Sequence, residues 1–197
     1  MGYVRLRPRP WPLEQNEEAR ACFQSKLAEL KEEEVEIWFS DECGVQGDSK
    51  PRRVIAKKGS HPTVSFTGTH IKENVVGAVR ISDGRFVSLI MPQMDTLIFQ
   101  TFLDEMQKWI GEKRVIMVID NASWHKAQRL NWGRIEPLYL PPYSPDLNPI
   151  ERIWLSLKNN FFTDFVAKEW IELQNHLVEA LRFYHLNQAV CKSICGS

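Results

Sequence analysis

No stretch of this 197-residue chain is apolar for long enough to cross a bilayer, and its start carries no signal-peptide pattern, so a cytoplasmic protein is expected. Cysteine is scarce: Cys22, Cys43, Cys191 and Cys195 are scattered, which excludes a disulfide framework and leaves reduced, mostly buried thiols as the expectation. Cys191 and Cys195 with nearby His185 fall short of the four well-spaced ligands of a structural zinc site. P-loop, dinucleotide-binding and metalloprotease motifs are absent, so no nucleotide cofactor is implied. Charge of one sign is also missing. The 25 Lys and Arg residues cancel the 25 Asp and Glu residues, which is not the balance of a pure nucleic-acid-binding domain. What remains, 43% hydrophobic and 25% charged with no internal repeat, is ordinary for one globular domain with a real core.

The charge is unevenly spread. Arg5, Arg7 and Arg9 fall in a Pro-rich segment, residues 1–12, that reads as an extended linker. Lys50, Arg52, Arg53, Lys57 and Lys58 form a second basic stretch without acids, while Glu14 to Glu36 is mostly acidic. Such patches can hold phosphates on a neutral molecule, and they equally suit plain solvated faces.

Residues 13–33 carry Leu13, Phe23, Leu27 and Leu30 among many charges, the pattern of an amphipathic helix. Strands are expected at 35–41, 53–56, 74–81, 85–91, 115–119 and 135–140, with Ser82-Asp83-Gly84 as a hairpin turn. Apolar residues at helical spacing predict helices over 95–110, 149–162 and 168–186, and a short one after Asn121. Strands alternating with helices in this order describe an α/β fold, a mixed sheet with helices on its faces, occupying residues 34–190.

Three acids stand at marked places in this layout. Asp41 closes the run Val35-Glu36-Ile37-Trp38-Phe39-Ser40, and Asp120 closes Val115-Ile116-Met117-Val118-Ile119. Glu151 falls in the first turn of the helix announced by Pro141-Pro142-Tyr143-Ser144-Pro145-Asp146-Leu147-Asn148-Pro149-Ile150. Each has a plain alternative. Asp41 suits a polar strand end, Asp120 with Asn121 suits the turn before a helix, and Glu151 lands three residues after Asn148, as in a capping box. Against that, the prolines fix where the helix starts, and Ile150, Ile153 and Leu157 can face the core. Glu151, one of Trp154 or Leu155, and Lys158 then turn the other way. Oxygen-only ligands gathered at a sheet edge suit two ions of Mg²⁺ or Mn²⁺, the usual device for in-line displacement at a phosphodiester.

The strings Ser40-Asp41-Glu42, Ile119-Asp120-Asn121-Ala122-Ser123-Trp124-His125 and Leu140 to Trp154 together resemble the DDE transposases of bacterial insertion sequences related to the mariner superfamily. The resemblance covers about 35 to 162, and the proline-rich string is its most specific part. It implies an RNase H-like fold, a mixed five-stranded sheet flanked by helices, with Asp41 on the first strand, Asp120 after the fourth and Glu151 on the helix after the fifth. It also implies a Mg²⁺-dependent two-metal enzyme that cuts DNA at element ends and joins them to target DNA, typically at a TA dinucleotide. His125 matches the family pattern and, with Asn121 and Asn148, is a candidate to orient a ligand. Trp124, Tyr143 and Trp154 are candidates to stack on opened bases, with core packing the alternative, and Lys158 to meet the backbone. Helix-turn-helix modules precede the catalytic domain in this family and are not read here, so a fragment, a split reading frame or a recognition module on another polypeptide is expected. Trp11-Pro12-Leu13 suggests docking on a second subunit, a homodimer on DNA. The rival expectations are an idle remnant that only binds DNA or dimerises, and a nuclease acting on RNA–DNA hybrids.

Overall fold

The computed structural model describes residues 14–48, 55–63, 65–68, 70–110 and 112–196. The linker, Arg5, Arg7, Arg9, Trp11-Pro12-Leu13, Lys50, Arg52, Arg53 and the first half of the strand expected at 53–56 lie outside these residues. Ile55 and Ala56 are described and are not in a strand.

Five strands, β1 (Glu36–Gln46), β2 (Lys72–Arg80), β3 (Arg85–Met91), β4 (Val115–Ile119) and β5 (Ile135–Tyr139), form one sheet in the order β3-β2-β1-β4-β5. The first three run antiparallel to one another, while β1 pairs β4, and β4 pairs β5, in parallel. The helices are α1 (Glu17–Glu32), α2 (Thr96–Trp109), α3 (Ile150–Phe161), α4 (Trp170–Leu186) and α5 (Gln188–Gly196). The α/β expectation holds, and the sheet is mixed and five-stranded with helices on both faces.

The period-2 alternation of the strands sorts side chains into two cores. Trp38, Val76, Ala78, Met117 and Ile119 pack on one face against Phe99, Phe102, Leu103 and Met106 of α2. On the other face Phe39, Val75, Val79 and Val118 meet Ile150, Ile153, Trp154 and Leu157 of α3, with Leu177 and Tyr184 of α4 behind them. Strand β4 sits between strands and between layers, which is why all five of its residues are apolar and buried. β5 is an edge strand, and so tolerates Pro137, which has no N–H to give to a ladder.

Local chemistry explains the boundaries. Asp95 caps α2, its Oδ1 accepting from the backbone N–H of Leu97 at 2.8 Å and of Ile98 at 3.0 Å. Gly84 ends the β2–β3 turn at φ +81°, and a Cβ there would come within 1.9 Å of the Gln188 carbonyl of α5. That close approach seats α5, which the sequence pattern did not announce. Its apolar side is Cys191 and Cys195, buried one turn apart, with Ile194 packed half-buried beside them.

Two expectations need correction. β1 does not stop at Asp41 but continues to Gln46, because β2 pairs with it all the way to Gln46 opposite Lys72. Cys43 and Val45 keep the alternation going under a less apolar disguise. Gly44 therefore lies within the strand. Trp154, expected as a candidate base-stacking residue, is only 2% exposed, and its indole fills a notch over Gly77 of β2. Positions 150, 153, 154 and 157 form the buried stripe of α3, and Leu155 takes the exposed place.

A Cβ added to Gly77 would lie 2.7 Å from the Trp154 ring, closer than any real contact. Gly77→Ala should cost about 1–3 kcal/mol by overpacking, which lowers the melting temperature by roughly 2–4 °C per kcal/mol for a chain of this size. Adding Trp154→Phe should recover part of that loss, a non-additivity read from thermal unfolding of the two single variants and the double. Strict additivity would show that the notch is not what seats α3.

Candidate active site

Parallel pairing of β1 with β4 ends at Phe39 opposite Val118. Asp41 and Asp120 each stand two residues beyond that last pair, so the register that aligns the strands brings the two acids side by side past the end of β4. Across the sheet from Asp41 lies Gly77, the seat of Trp154. One helical turn before Trp154 is Glu151, which α3 therefore carries to the same place. Asp41, Asp120 and Glu151 line one open cleft of about 420 Å³, together with Asn121, Asn148 and the segment Leu140–Pro145.

The proline-rich segment forms the other wall. Asn121 Nδ2 donates to the Leu140 carbonyl at 2.5 Å, joining the end of β4 to the end of β5. Asn148 was expected to cap α3, but the cap position is Pro149 and no side chain closes the helix start. Instead Asn148 Nδ2 donates to the Ser40 carbonyl at 3.0 Å, beside Asp41, and its buried Oδ1 has no partner among the described residues. No capping box forms, so Glu151 is not engaged in holding the helix. Tyr143, at φ +55°, stands 54% exposed on the rim. Arg20 of α1 grips Asp146 through both guanidinium nitrogens at 3.0 and 2.7 Å, and Gln15 Nε2 donates to the Tyr143 carbonyl at 2.8 Å. The acidic helix thus braces the cleft wall.

The cleft is short of positive charge. Burial, then the charge of Glu151, pushes the Asp41 carboxyl up to about 8. Burial also raises Glu151, opposed by the Lys158 ammonium on the same helix. Asp120 goes the other way: the hydrogen bond from His125 holds it below the usual carboxylate range. Burial works to lower His125, but its hydrogen bonds to Asp120 and Glu42 outweigh that and hold it at about 9. His125 Nδ1 lies 2.8 Å from Asp120 Oδ1, and Nε2 lies 2.9 Å from Glu42 Oε1. With a carboxylate at each nitrogen, both nitrogens act as donors and the ring is an imidazolium.

Glu42, Asp120 and His125 lie close enough together for a metal by distance alone. His125 Nδ1 is hydrogen-bonded to Asp120 and Nε2 to Glu42, so an ion there would have to break one of these bonds. Asp41, Asp120 and Glu151 line the cleft with carboxylate oxygens, the donor type that hard divalent ions take. Burial first, then the neighbouring acids, push the Asp41 carboxyl up to about 8, and a cation in the cleft would offset both. The residues therefore fit one or more hard divalent ions.

A family model, DDE superfamily endonuclease, matches residues 36–174 of the chain. The chain belongs to the DDE superfamily endonucleases. It is 29% identical over 108 residues to the uncharacterized protein y4pE/y4sA of Sinorhizobium fredii, covering 54% of this chain and 80% of that one. It is 23% identical over 147 residues to the insertion element IS630 uncharacterized 39 kDa protein of Shigella sonnei, covering 72% of this chain but only 43% of that protein. Among solved structures, the mariner Mos1 paired-end complex with Mg aligns with a TM-score of 0.71 at 19% identity, over 100% of this chain and 66% of that one. The isolated catalytic domain of Mos1 mariner transposase aligns with a TM-score of 0.59 at 18% identity, over 97% of this chain and 95% of that one. The fold is RNase H-like, as in the catalytic core of Mos1 mariner transposase.

The outer surface of this DDE endonuclease matches expectation unevenly. Lys57, Lys58 and Lys158 are exposed, while Trp154 is withdrawn into the core. Trp124 is half-buried and its indole N–H is used on Glu42 at 3.2 Å, so it is no free stacking platform. Lys126, overlooked in the sequence, donates to Asn121 Oδ1 at 2.6 Å and lies over the Tyr139 ring at the cleft side of Asp120. Glu42 was overlooked too, because it reads as the second of two acids on a strand. Alternation alone would have put it on the opposite face from Asp41. The zinc idea at the tail is excluded by geometry. The Cys191 thiol donates to the Tyr184 carbonyl and Cys195 to that of Pro149, while His185 bonds the Phe86 carbonyl.

A carboxyl raised from 3.8 to about 8 stabilises the folded state below its unfolded value, and that contribution is lost as pH climbs to about 8. The protein in EDTA should accordingly melt lower at pH 8 than at pH 5. Asp41→Asn should flatten that difference, raising the melting temperature at pH 8 by roughly 2–4 °C for each kcal/mol recovered. Mn²⁺ should stabilise the parent more at pH 8 than at pH 5 and Asp41→Asn little at either. Calorimetry at the two pH values checks this.

Proposed function

We propose that this chain is the catalytic core of an insertion-element transposase, cutting DNA at element ends and joining them to target DNA at TA sites. The observation that carries the reading is the cleft where β1, the end of β4 and α3 each deliver one carboxylate, with Lys158 the cation beside Glu151. Asp41, Asp120 and Glu151 are the residues that would hold two Mg²⁺ or Mn²⁺ ions. Those ions, when bound, supply a Lewis acid for the attacking water or DNA 3′-hydroxyl and for the leaving oxygen.

The chain's own groups do the rest. Asp120 is fixed through one oxygen, and Asn148 Oδ1 offers a buried acceptor in the cleft lining to a water or a hydroxyl. Lys158, beside Glu151, and Lys126, bonded to Asn121, would meet phosphates of one strand, and Tyr143 offers the rim an aromatic face. Lys57 and Lys58, with Lys50, Arg52 and Arg53, would extend that track, and Arg5, Arg7 and Arg9 would lie along a groove. We place the protein in the bacterial cytoplasm, with a homodimer on DNA and a recognition module outside residues 14–196 completing the assembly. Light scattering that finds one monomeric species with and without a DNA end would remove the dimer.

The decisive assay is transfer of a pre-cut DNA end into supercoiled plasmid with Mg²⁺ or Mn²⁺. The parent should give joined products, and Asp41→Ala, Asp120→Ala and Glu151→Ala should each lose at least roughly 10³-fold, since each removes several kcal/mol of charge stabilisation. Ordinary activity in any of the three would remove that residue from the site. Metal binding without any product would favour a protein that only binds DNA or dimerises.

A further inference from the structure

Asp41 and Glu42 are neighbours in one strand, so their side chains leave the sheet on opposite faces. Asp41 enters the cleft on the α3 side. Glu42 points to the α2 side, where nothing in the proposed reaction uses it, yet it is deeply engaged. Its Oε1 accepts from His125 Nε2 at 2.9 Å and from Trp124 Nε1 at 3.2 Å. His125, 2% exposed and packed against Phe99 of α2 with ring centroids 4.3 Å apart and planes tilted by 54°, then reaches Asp120 Oδ1 with its other nitrogen at 2.8 Å. The Ala122 N–H donates to the same Oδ1 at 3.0 Å, and Asp120 Oδ2 is left without a hydrogen bond among the described residues.

We infer that Glu42 is a positioning residue that acts through His125 on Asp120, holding one carboxylate oxygen so that the other is presented to the cleft. The inference rests on the metal-holding role proposed for Asp120. The two acids of β1 thus serve one site by different routes, Asp41 directly and Glu42 around the end of β4. Three links make the route rigid. Glu42 is anchored in the strand next to β4, Trp124 and His125 share one turn of 3-10 helix, Ser123–Lys126, and Phe99 closes the imidazole from α2. A carboxylate held in this way loses little freedom when it takes a cation, and outer partners of ligands are typically worth about 10–100-fold in metal affinity.

The test is Mn²⁺ affinity of the whole chain, read from the free-ion electron paramagnetic resonance signal, without DNA and without turnover. Glu42→Ala should weaken binding by about tenfold or more. Glu42→Gln keeps an oxygen acceptor toward both ring donors and should stay within about threefold of the parent, because it is the hydrogen-bonded geometry that matters. His125→Ala should match Glu42→Ala, and the double variant should be no weaker than either single one. Met106→Ala removes a buried side chain from the same core without touching the relay, and should lower thermal stability while leaving Mn²⁺ affinity intact. Parent-like affinity in Glu42→Ala overturns the relay alone, as does an equal loss in Met106→Ala. Absence of Mn²⁺ binding in the parent overturns the three-carboxylate site and the relay with it.

Discussion

Much of this structure depends on the fit of the Trp154 indole into the gap that Gly77 leaves in β2. A helix resting on a sheet can slide or roll unless something marks its place. Here the mark is a missing side chain in one layer and the largest side chain in the other, with Phe86 edge-on to the same indole at 5.8 Å. Gly77 pairs with Asp41 across the ladder, and Trp154 stands one turn after Glu151. The contact that locks α3 therefore also sets the height of the glutamate over the aspartate. Packing and chemistry are fixed by one event, and the site inherits the stiffness of the core.

The rest of the cleft is organised as a counterpart to that lock. Past the end of β4 the sheet opens a crevice, and the chain fills its far side with prolines, which have few ways to move. Hydrogen bonds from Asn121 and Asn148 tie this wall to the strand ends on either side. α1 clamps it from outside through Arg20 and Asp146. Carboxylates gathered in one cleft repel one another and oppose folding, and it is this scaffold that keeps them together. The imidazolium of His125 relieves only Asp120, leaving Asp41 and Glu151 as the part of the cluster that calls for a cation.

A good part of this is legible in the amino-acid sequence. β4 is five consecutive apolar residues, the hairpin carries Asp83-Gly84, and α2 has a capping aspartate and a regular stripe, so each announces itself through a local rule. Asp41 and Asp120 stand out as acids that close apolar runs and Glu151 as an acid in the first turn after the prolines, and the strand register and the α3 seat explain why they meet. What escaped was set by partners rather than by local sequence. β1 outlasts its apolar run because β2 pairs with its polar end. Trp154 and Leu155 are equally apolar, and only the notch at Gly77 decides which turns inward. α5 is invisible in composition since two cysteines make its buried side, and its position comes from a turn glycine over 100 residues away. Glu42 hides because its value lies in a histidine distant in sequence. The basic stretch from Lys50 to Arg53 lies outside the described residues, and its role stands as proposed.

The margins of the sheet have a bearing on how the protein behaves in a crowded solution. At one margin, β5 carries Pro137 and a charged cluster in which Arg114 spans Glu33 and Glu136. At the other, His185 occupies the Phe86 carbonyl of β3. A foreign strand looking for a clean row of donors and acceptors meets an interruption at either side. Growth of the sheet from chain to chain, the usual road to fibres, is thus discouraged, and association is left to helix surfaces and loops, whose contacts can be reversed.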